Sequence, residues 1–325
     1  MKITVFGAGA VGGLIAARLL VSGVAVNLVA RGATLTALQT DGLQLEAGGG
    51  VQRWPVAAGP ATDFGVQDVV ILAVKATQLS TAAQAIGPLI GSDTLLITAM
   101  NGVPWWFFDR PDVPHFGLRL PSLQAGRALS ERLTPPQIAG CVVHLSAASP
   151  APGQVKLAFG NRLLLGMTGA SRSQHLDDVL SLLRQAGFDA VESSDIRSDI
   201  WYKLWGNMTV NPVSVLTGAT ADRILDDPLI RRFCLDAMRE AAAIGAAIGC
   251  PIDQSGEDRL EVARQLGSFR TSMLQDATAG RALEIDALVT VVADIGAAIG
   301  IETPTIGHLL GLIRLHAQTR GLYPG

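Results

Sequence analysis

The chain has 325 residues, of which 49% are hydrophobic and only 16% charged, with a formal net charge of -3. That length suits two domains with ample cores, the apolar content excludes global disorder, and the charge balance leaves no broad cationic surface for DNA or RNA. No stretch reaches the roughly 18 uninterrupted apolar residues of a membrane span, because Arg18, Asp236, Arg239, Asp286 and Asp294 break the candidates.

In chain order, residues 2–6 read as a short buried strand and 10–21 as a helix, with a glycine-rich turn between them. The opening run, uncharged from Ile3 to Ala17, has the outline of a secretory signal, but Gly7, Gly9, Gly12 and Gly13 would weaken such a helix. Residues 24–30 predict a second strand. The almost continuous apolar run 68–74 is of the kind a parallel sheet buries on both faces. A helix over 76–86 and a strand over 94–98 follow, ending at Met100-Asn101-Gly102-Val103-Pro104, where Asn-Gly and proline mark a loop. Strands alternating with helices give a doubly wound α/β domain.

Residues 104–149 carry Pro104, Pro111, Pro114, Pro121, Pro135 and Pro136 with two tryptophans, and read as an irregular excursion. Segments 154–159 and 162–166 predict a hairpin about Gly160-Asn161. From about Asp195 the pattern turns helical, over 195–211, 227–248, 258–267, 282–299 and 305–320. Pro228 and Pro304 sit where helix starts tolerate proline, with Asp227 and Thr303 as N-caps. The expected division is therefore 1–193 for a nucleotide-binding domain and 194–325 for a helical substrate and catalytic domain. Cys141, Cys234 and Cys250, odd in number and far apart, fit reduced thiols in a cytoplasmic protein. The histidines form no HxxxH pair, so no metal is expected.

Gly7-Ala8-Gly9-Ala10-Val11-Gly12 is a GxGxxG motif between strand and helix. The first glycine permits the tight turn, the second lets backbone approach a pyrophosphate, and the third lets the helix pack closely, with the helix N–H groups facing the phosphate. A dinucleotide is the expected ligand. Arg31 stands where an acidic residue would hold the ribose of NAD, and a guanidinium there pairs with the 2′-phosphate of NADP or is simply solvated. Lys75 ends the buried strand on the rim where an open sheet keeps its ligand, with Gln78 one turn on. Asn101 lies on the same rim, as a ribose or substrate contact or as a turn asparagine.

Lys203, Asn207 and Asn211 recur at i, i+4, i+8 and share one helix face, although Pro212 is expected to kink or end that helix. A lysine in this apolar setting either snorkels to solvent or reaches into a cleft. Ser272, Glu284 and Asp286 add a hydroxyl and two carboxylates, each open to reading as a cap or a solvated face.

These segments together resemble the ketopantoate reductase family, within the wider group of 6-phosphogluconate and β-hydroxyacid dehydrogenases. The likeness rests on the glycine motif, Arg31, Val74-Lys75-Ala76-Thr77-Gln78, Asn101-Gly102, Lys203-x3-Asn207-x3-Asn211-Pro212, Ser272-Met273-Leu274-Gln275-Asp276 and Glu284-Ile285-Asp286. It implies an N-terminal Rossmann-type sheet followed by an all-helical domain of the 6-phosphogluconate dehydrogenase-like type. It further implies NADPH-dependent reduction of 2-dehydropantoate to pantoate in pantothenate and coenzyme A synthesis, with Lys203 as general acid and Glu284 orienting it. Asn207, Asn211 and Ser272 would hold substrate, Asn101 would stand between cofactor and Lys203, and Arg31 and Lys75 would take the 2′-phosphate. Where many members have an Asn-Gly-Glu-Leu type turn, this chain has Ala221-Asp222-Arg223-Ile224-Leu225. The alternatives are a reductase of the same machinery acting on another 2-oxo acid or an opine-like substrate, and a non-catalytic NADP-binding regulator. The apolar helices from Ala282 onward suit either core or a homodimer surface.

Overall fold

A computed structural model describes residues 1–47, 50–169, 172–265 and 267–324. The chain forms two units, residues 1–100 with 125–196, and residues 101–124 with 197–325.

Among the described residues the first unit holds a ten-stranded sheet. Its strands are β1 (Ile3–Phe6), β2 (Asn27–Val29), β3 (Leu43–Ala47), β4 (Gly50–Trp54), β5 (Ala57–Gly59), β6 (Val69–Leu72), β7 (Leu95–Thr98), β8 (Ile138–Ala148), β9 (Gln154–Met167) and β10 (Asp189–Glu192). They run in the order β4-β3-β9-β8-β7-β6-β1-β2-β5, with β10 pairing β9. β1, β6 and β7 are buried at every position, as a parallel sheet covered on both faces requires. Helices α1 (Ala10–Val21), α2 (Gly32–Asp41), α3 (Leu79–Ala85), α4 (Arg127–Ser130) and α5 (His175–Gln185) accompany the sheet. Leu14, Ile15 and Leu19 of α1 and Val5, Ile71 and Leu163 of the strands join one core. Because β1 is flanked by parallel β2 and β6, the chain leaves in opposite directions on its two sides, and the crevice beyond those strand ends is the ligand position of this architecture.

Three expectations for this unit need correction. Residues 154–159 and 162–166 are not two arms of a hairpin but one strand, β9; Gly160 (φ +74°) absorbs a skip in its pairing with β8, where Leu145 faces Gly160 and His144 faces Arg162, so Asn161 is a bulge residue. The irregular excursion ends at Gln137, because residues 138–148 form β8, an apolar strand whose first six residues are buried. The helix over 76–86 is a single 3-10 turn, Ala76–Gln78, followed by α3.

The second unit consists of α6 (Ile196–Thr217), α7 (Ala221–Asp226), α8 (Pro228–Ala247), α9 (Gly256–Gln265), α10 (Ser272–Thr278), α11 (Val291–Ile299) and α12 (Pro304–Gln318). The stretch 101–124, placed by sequence in the first domain, is grouped with these helices. Its aromatic run is the reason. Phe107 is fully buried with its ring 6.4 Å from that of Trp201, and the buried Arg197 donates to the carbonyls of Phe107 and Ile248, both at 2.9 Å.

Pro212 does not end α6, which continues to Thr217 with the proline inside it. The proline removes the N–H that the Met208 carbonyl would otherwise accept. Asp227 caps α8 as expected, accepting from Leu229 and Ile230 N–H. Thr303 occupies the N-cap position of α12 without a side-chain bond, and Glu240 instead accepts from the N–H groups of Thr305 and Ile306 at 2.8 and 2.9 Å. The helix over 282–299 is a correction too: residues 281–284 are non-helical, Asp286–Thr290 form a widened π-type turn, and the regular helix begins at Val291. Among the described residues no helix is long and apolar enough to cross a membrane.

Candidate active site

The glycine motif closes the turn from β1 into α1. Gly7 takes φ +105°, a conformation L side chains rarely adopt, and a Cβ there would stand 2.8 Å from the Ala73 carbonyl oxygen at the end of β6. Gly12 is buried where a Cβ would fall 2.1 Å from the Gly7 oxygen. Gly9 differs: a Cβ would meet nothing within 4 Å. Two glycines are therefore required by the fold, and the third leaves open space before the first turn of α1. Gly9 is the N-cap residue and no side chain caps that helix, so its first N–H groups and its dipole remain available to an anion. Ala8, Ala10 and Val11 are half-buried around the opening. These residues fit the pyrophosphate of a dinucleotide.

Arg31 lies two residues beyond β2, exposed at the N-cap position of α2, and among the described residues its guanidinium has no ion-pair partner. Lys75, half-buried, precedes the 3-10 turn after β6, and Gln78 ends that turn exposed. The two loops leave β2 and β6, the parallel strands that flank β1, at the same end of the sheet as Gly7.

In the helical unit, the Lys203 ammonium donates to Asn101 Oδ1 at 2.8 Å. The structure thus joins residues from opposite halves of the sequence. Asn101 is fixed by its neighbour. Gly102 (φ +82°) lies so close to the π-type turn that a Cβ would stand 2.2 Å from the Ala287 carbonyl oxygen. Asn207, half-buried, and Asn211, buried, follow Lys203 on α6. Glu284 is half-buried just before the π-type turn.

Ser272 is the exposed first residue of α10, and the elements that hold it were not evident from sequence. Thr271 caps α10 by accepting from Leu274 N–H at 3.1 Å, and its hydroxyl lies 2.6 Å from that of Ser214. Ser214 donates to the Asn211 carbonyl at 2.6 Å. A hydroxyl has one proton, so Thr271 is the donor to Ser214. Asn211 and Ser272 are in this way linked through two buried hydroxyls, for which the only sequence signal was a threonine preceding a helix. Gln275 and Asp276 of the same motif are structural: Gln275 donates to the Arg270 carbonyl, and Asp276 accepts from Arg281 Nε at 2.8 Å.

Burial pushes the Cys234 thiol up to about 12, against a hydrogen bond with Thr209, so it is a neutral thiol at physiological pH. Among the described residues no three His, Cys, Asp or Glu side chains gather as a metal site.

Comparison with known proteins bears on this geometry. Residues 3–169 match the family described as "Ketopantoate reductase PanE/ApbA", and residues 195–317 match its C-terminal region. A 2-dehydropantoate 2-reductase of Mesorhizobium japonicum is 42% identical over 99% of this chain and all of its own length. A crystal structure from Ralstonia solanacearum, assigned to ketopantoate reductase, superposes with a TM-score of 0.94 at 54% identity, covering 99% of both chains. The fold is also that of a D-mandelate dehydrogenase solved with NADH and anilino(oxo)acetate, at TM-score 0.86, 21% identity, and coverage of 99% of this chain and all of the other.

Proposed function

The chain belongs to the ketopantoate reductase family of oxidoreductases, and from that premise we propose that it reduces 2-dehydropantoate to pantoate with NADPH. The observation that carries the reading is the Lys203 ammonium held at 2.8 Å by Asn101 Oδ1. This positions a proton donor on a half-buried part of α6 with two further amides along the same helix face.

In this reading the Gly7–Gly12 turn and the free N–H groups of α1 bind the pyrophosphate, Arg31 and Lys75 bind the 2′-phosphate, and Gln78 lies beside the ribose. When bound, NADPH supplies the hydride to the ketone carbon. Lys203 stabilises the negative charge developing on the ketone oxygen and donates its proton there. Asn101 fixes the lysine's rotamer and keeps its own amide N–H groups for the ligand. Glu284 orients the ammonium, and Asn207, Asn211 and Ser272 bind the carboxylate and hydroxyl of the substrate. The half-burial of Lys203 and Asn207 limits water around the reacting oxygen, which strengthens the ammonium's effect. The product is pantoate, placing the protein in pantothenate synthesis.

The test is NADPH oxidation by the purified protein against 2-dehydropantoate and a panel of other 2-oxo acids, with NADH and Lys203→Ala alongside. Turnover selective for 2-dehydropantoate and dependent on Lys203 is expected. Activity confined to another 2-oxo acid overturns the substrate, and NADPH binding without turnover of any acid in the panel overturns the enzymatic reading.

A further inference from the structure

Glu284 lies outside any helix, yet the chain around it is fastened on both sides to the same place. The Leu283 N–H donates to the Leu322 carbonyl at 2.9 Å, and the Tyr323 hydroxyl donates to Asp286 Oδ1 at 2.6 Å. Consecutive residues at the end of the chain thus grip the residue before Glu284 and the residue two after it. Leu322 is buried, which anchors the grip in the core. Asp286 also accepts from Thr290 Oγ1 at 2.9 Å, a bond across the π-type turn. Burial, then the bond to Asp286, pushes the Tyr323 phenol up to about 12, so it remains a donor throughout the neutral range.

This is more restraint than a surface carboxylate needs. A non-helical residue ordinarily keeps considerable backbone freedom, and a side chain that must direct a reacting group needs placement to about half an ångström. Wide π-type turns also recur where a helix is adjusted to aim functional groups. Here the turn that begins two residues after Glu284 is the one against which Gly102, next to Asn101, is packed. The end of the chain therefore steadies the support shared by Glu284 and Asn101.

We infer that Leu322 and Tyr323 form a clamp that positions Glu284, with the Tyr323 hydroxyl acting on the reduction through that carboxylate. The inference rests on the reading that Glu284 takes part in the reduction. Tyr323 is a positioning residue, and no contact of its own with substrate is required.

Tyr323→Phe removes only the hydroxyl and keeps the ring. It is to be compared with Glu284→Gln and with the double variant, measuring kcat, KM for the 2-oxo acid, NADPH affinity by fluorescence titration, and melting temperature. The expected result is a kcat lower by about three- to tenfold, with NADPH affinity unchanged, melting temperature lowered by no more than the few degrees that one hydrogen bond is worth, and no further loss of kcat when Tyr323→Phe is added to Glu284→Gln. An unchanged kcat, or the same fold-loss in both backgrounds, overturns the clamp while leaving the proposed function standing. Full activity in Glu284→Gln removes the role of Glu284, and the clamp falls with it.

Discussion

The glycine turn and the lysine cluster reach a fixed geometry by opposite routes. The turn consists of six successive residues, and its shape is dictated by what cannot fit: a Cβ on Gly7 or Gly12 would collide with backbone oxygen, while Gly9 faces open space. Around Lys203 the pairings are between distant stretches: Lys203 is held by Asn101, and further along α6 Asn211 is tied to the start of α10 through Ser214 and Thr271. A site defined by exclusion is written in consecutive letters. One defined by attraction depends on every element that brings its members together.

The largest effect falls on the attractive side. Lys203→Ala is expected to lower kcat by about 10²- to 10⁴-fold, the range for a general acid that also stabilises charge, with NADPH affinity unchanged because the residues proposed to hold the cofactor are elsewhere. Comparable losses in kcat and in NADPH affinity would mean that the lysine serves the cofactor rather than the reacting oxygen. The pair Gly12→Val and Gly9→Val then separates the two kinds of glycine. Gly12→Val forces atoms onto the Gly7 carbonyl and is expected to destabilise by at least about 1–3 kcal/mol, the usual cost of overpacking. Gly9→Val leaves the melting temperature intact and abolishes NADPH binding, since the added side chain occupies only the space in front of α1. If Gly9→Val bound NADPH normally, the opening would not be the phosphate site.

Much of the fold was legible for the same reason that the turn was. Buried parallel strands such as 69–72 declare themselves as continuous apolar runs, and helices such as 10–21 and 228–247 by spacing and proline placement. What failed were features settled by partners far along the chain. Gly160-Asn161 has the composition of a hairpin turn, but β8 pairs with both flanking segments and reduces it to a bulge. Thr303 has the chemistry of a cap, but Glu240 reaches the same N–H groups first. The break before Asp286 is invisible in the apolar periodicity of 282–299, because the Leu283 N–H is taken by Leu322. The candidate residues were named from motif spacing, whereas the bonds of Thr271 to Ser214 and of Tyr323 to Asp286 carry no motif.

Arg31→Ala probes the outer edge of the turn, where attraction takes over from exclusion. A guanidinium bonded to a phosphate contributes about 1.5–3 kcal/mol, so the KM for NADPH should rise by about 10- to 100-fold while the KM for NADH stays level. Equal effects on both cofactors would assign Arg31 to the common part of the dinucleotide and withdraw the preference for NADPH.

The smallest effect tests whether the hydroxyl chain is support or ornament. Thr271 accepts from Leu274 N–H and donates to Ser214, which in turn donates to the Asn211 carbonyl. Thr271→Val preserves shape and removes both bonds, leaving the buried Leu274 N–H without its cap and the Ser214 oxygen without its donor. Unsatisfied buried groups cost about 1–3 kcal/mol, so urea denaturation should show a loss in that range, and the KM for the 2-oxo acid should rise because Ser272 and Asn211 lose their common tie. Thr271→Ser keeps the hydroxyl and gives up only a methyl group, so it should restore the KM even where stability stays slightly reduced. A serine variant as impaired in KM as the valine variant would show that packing of the methyl, and not the hydroxyl chain, aligns the start of α10 with α6.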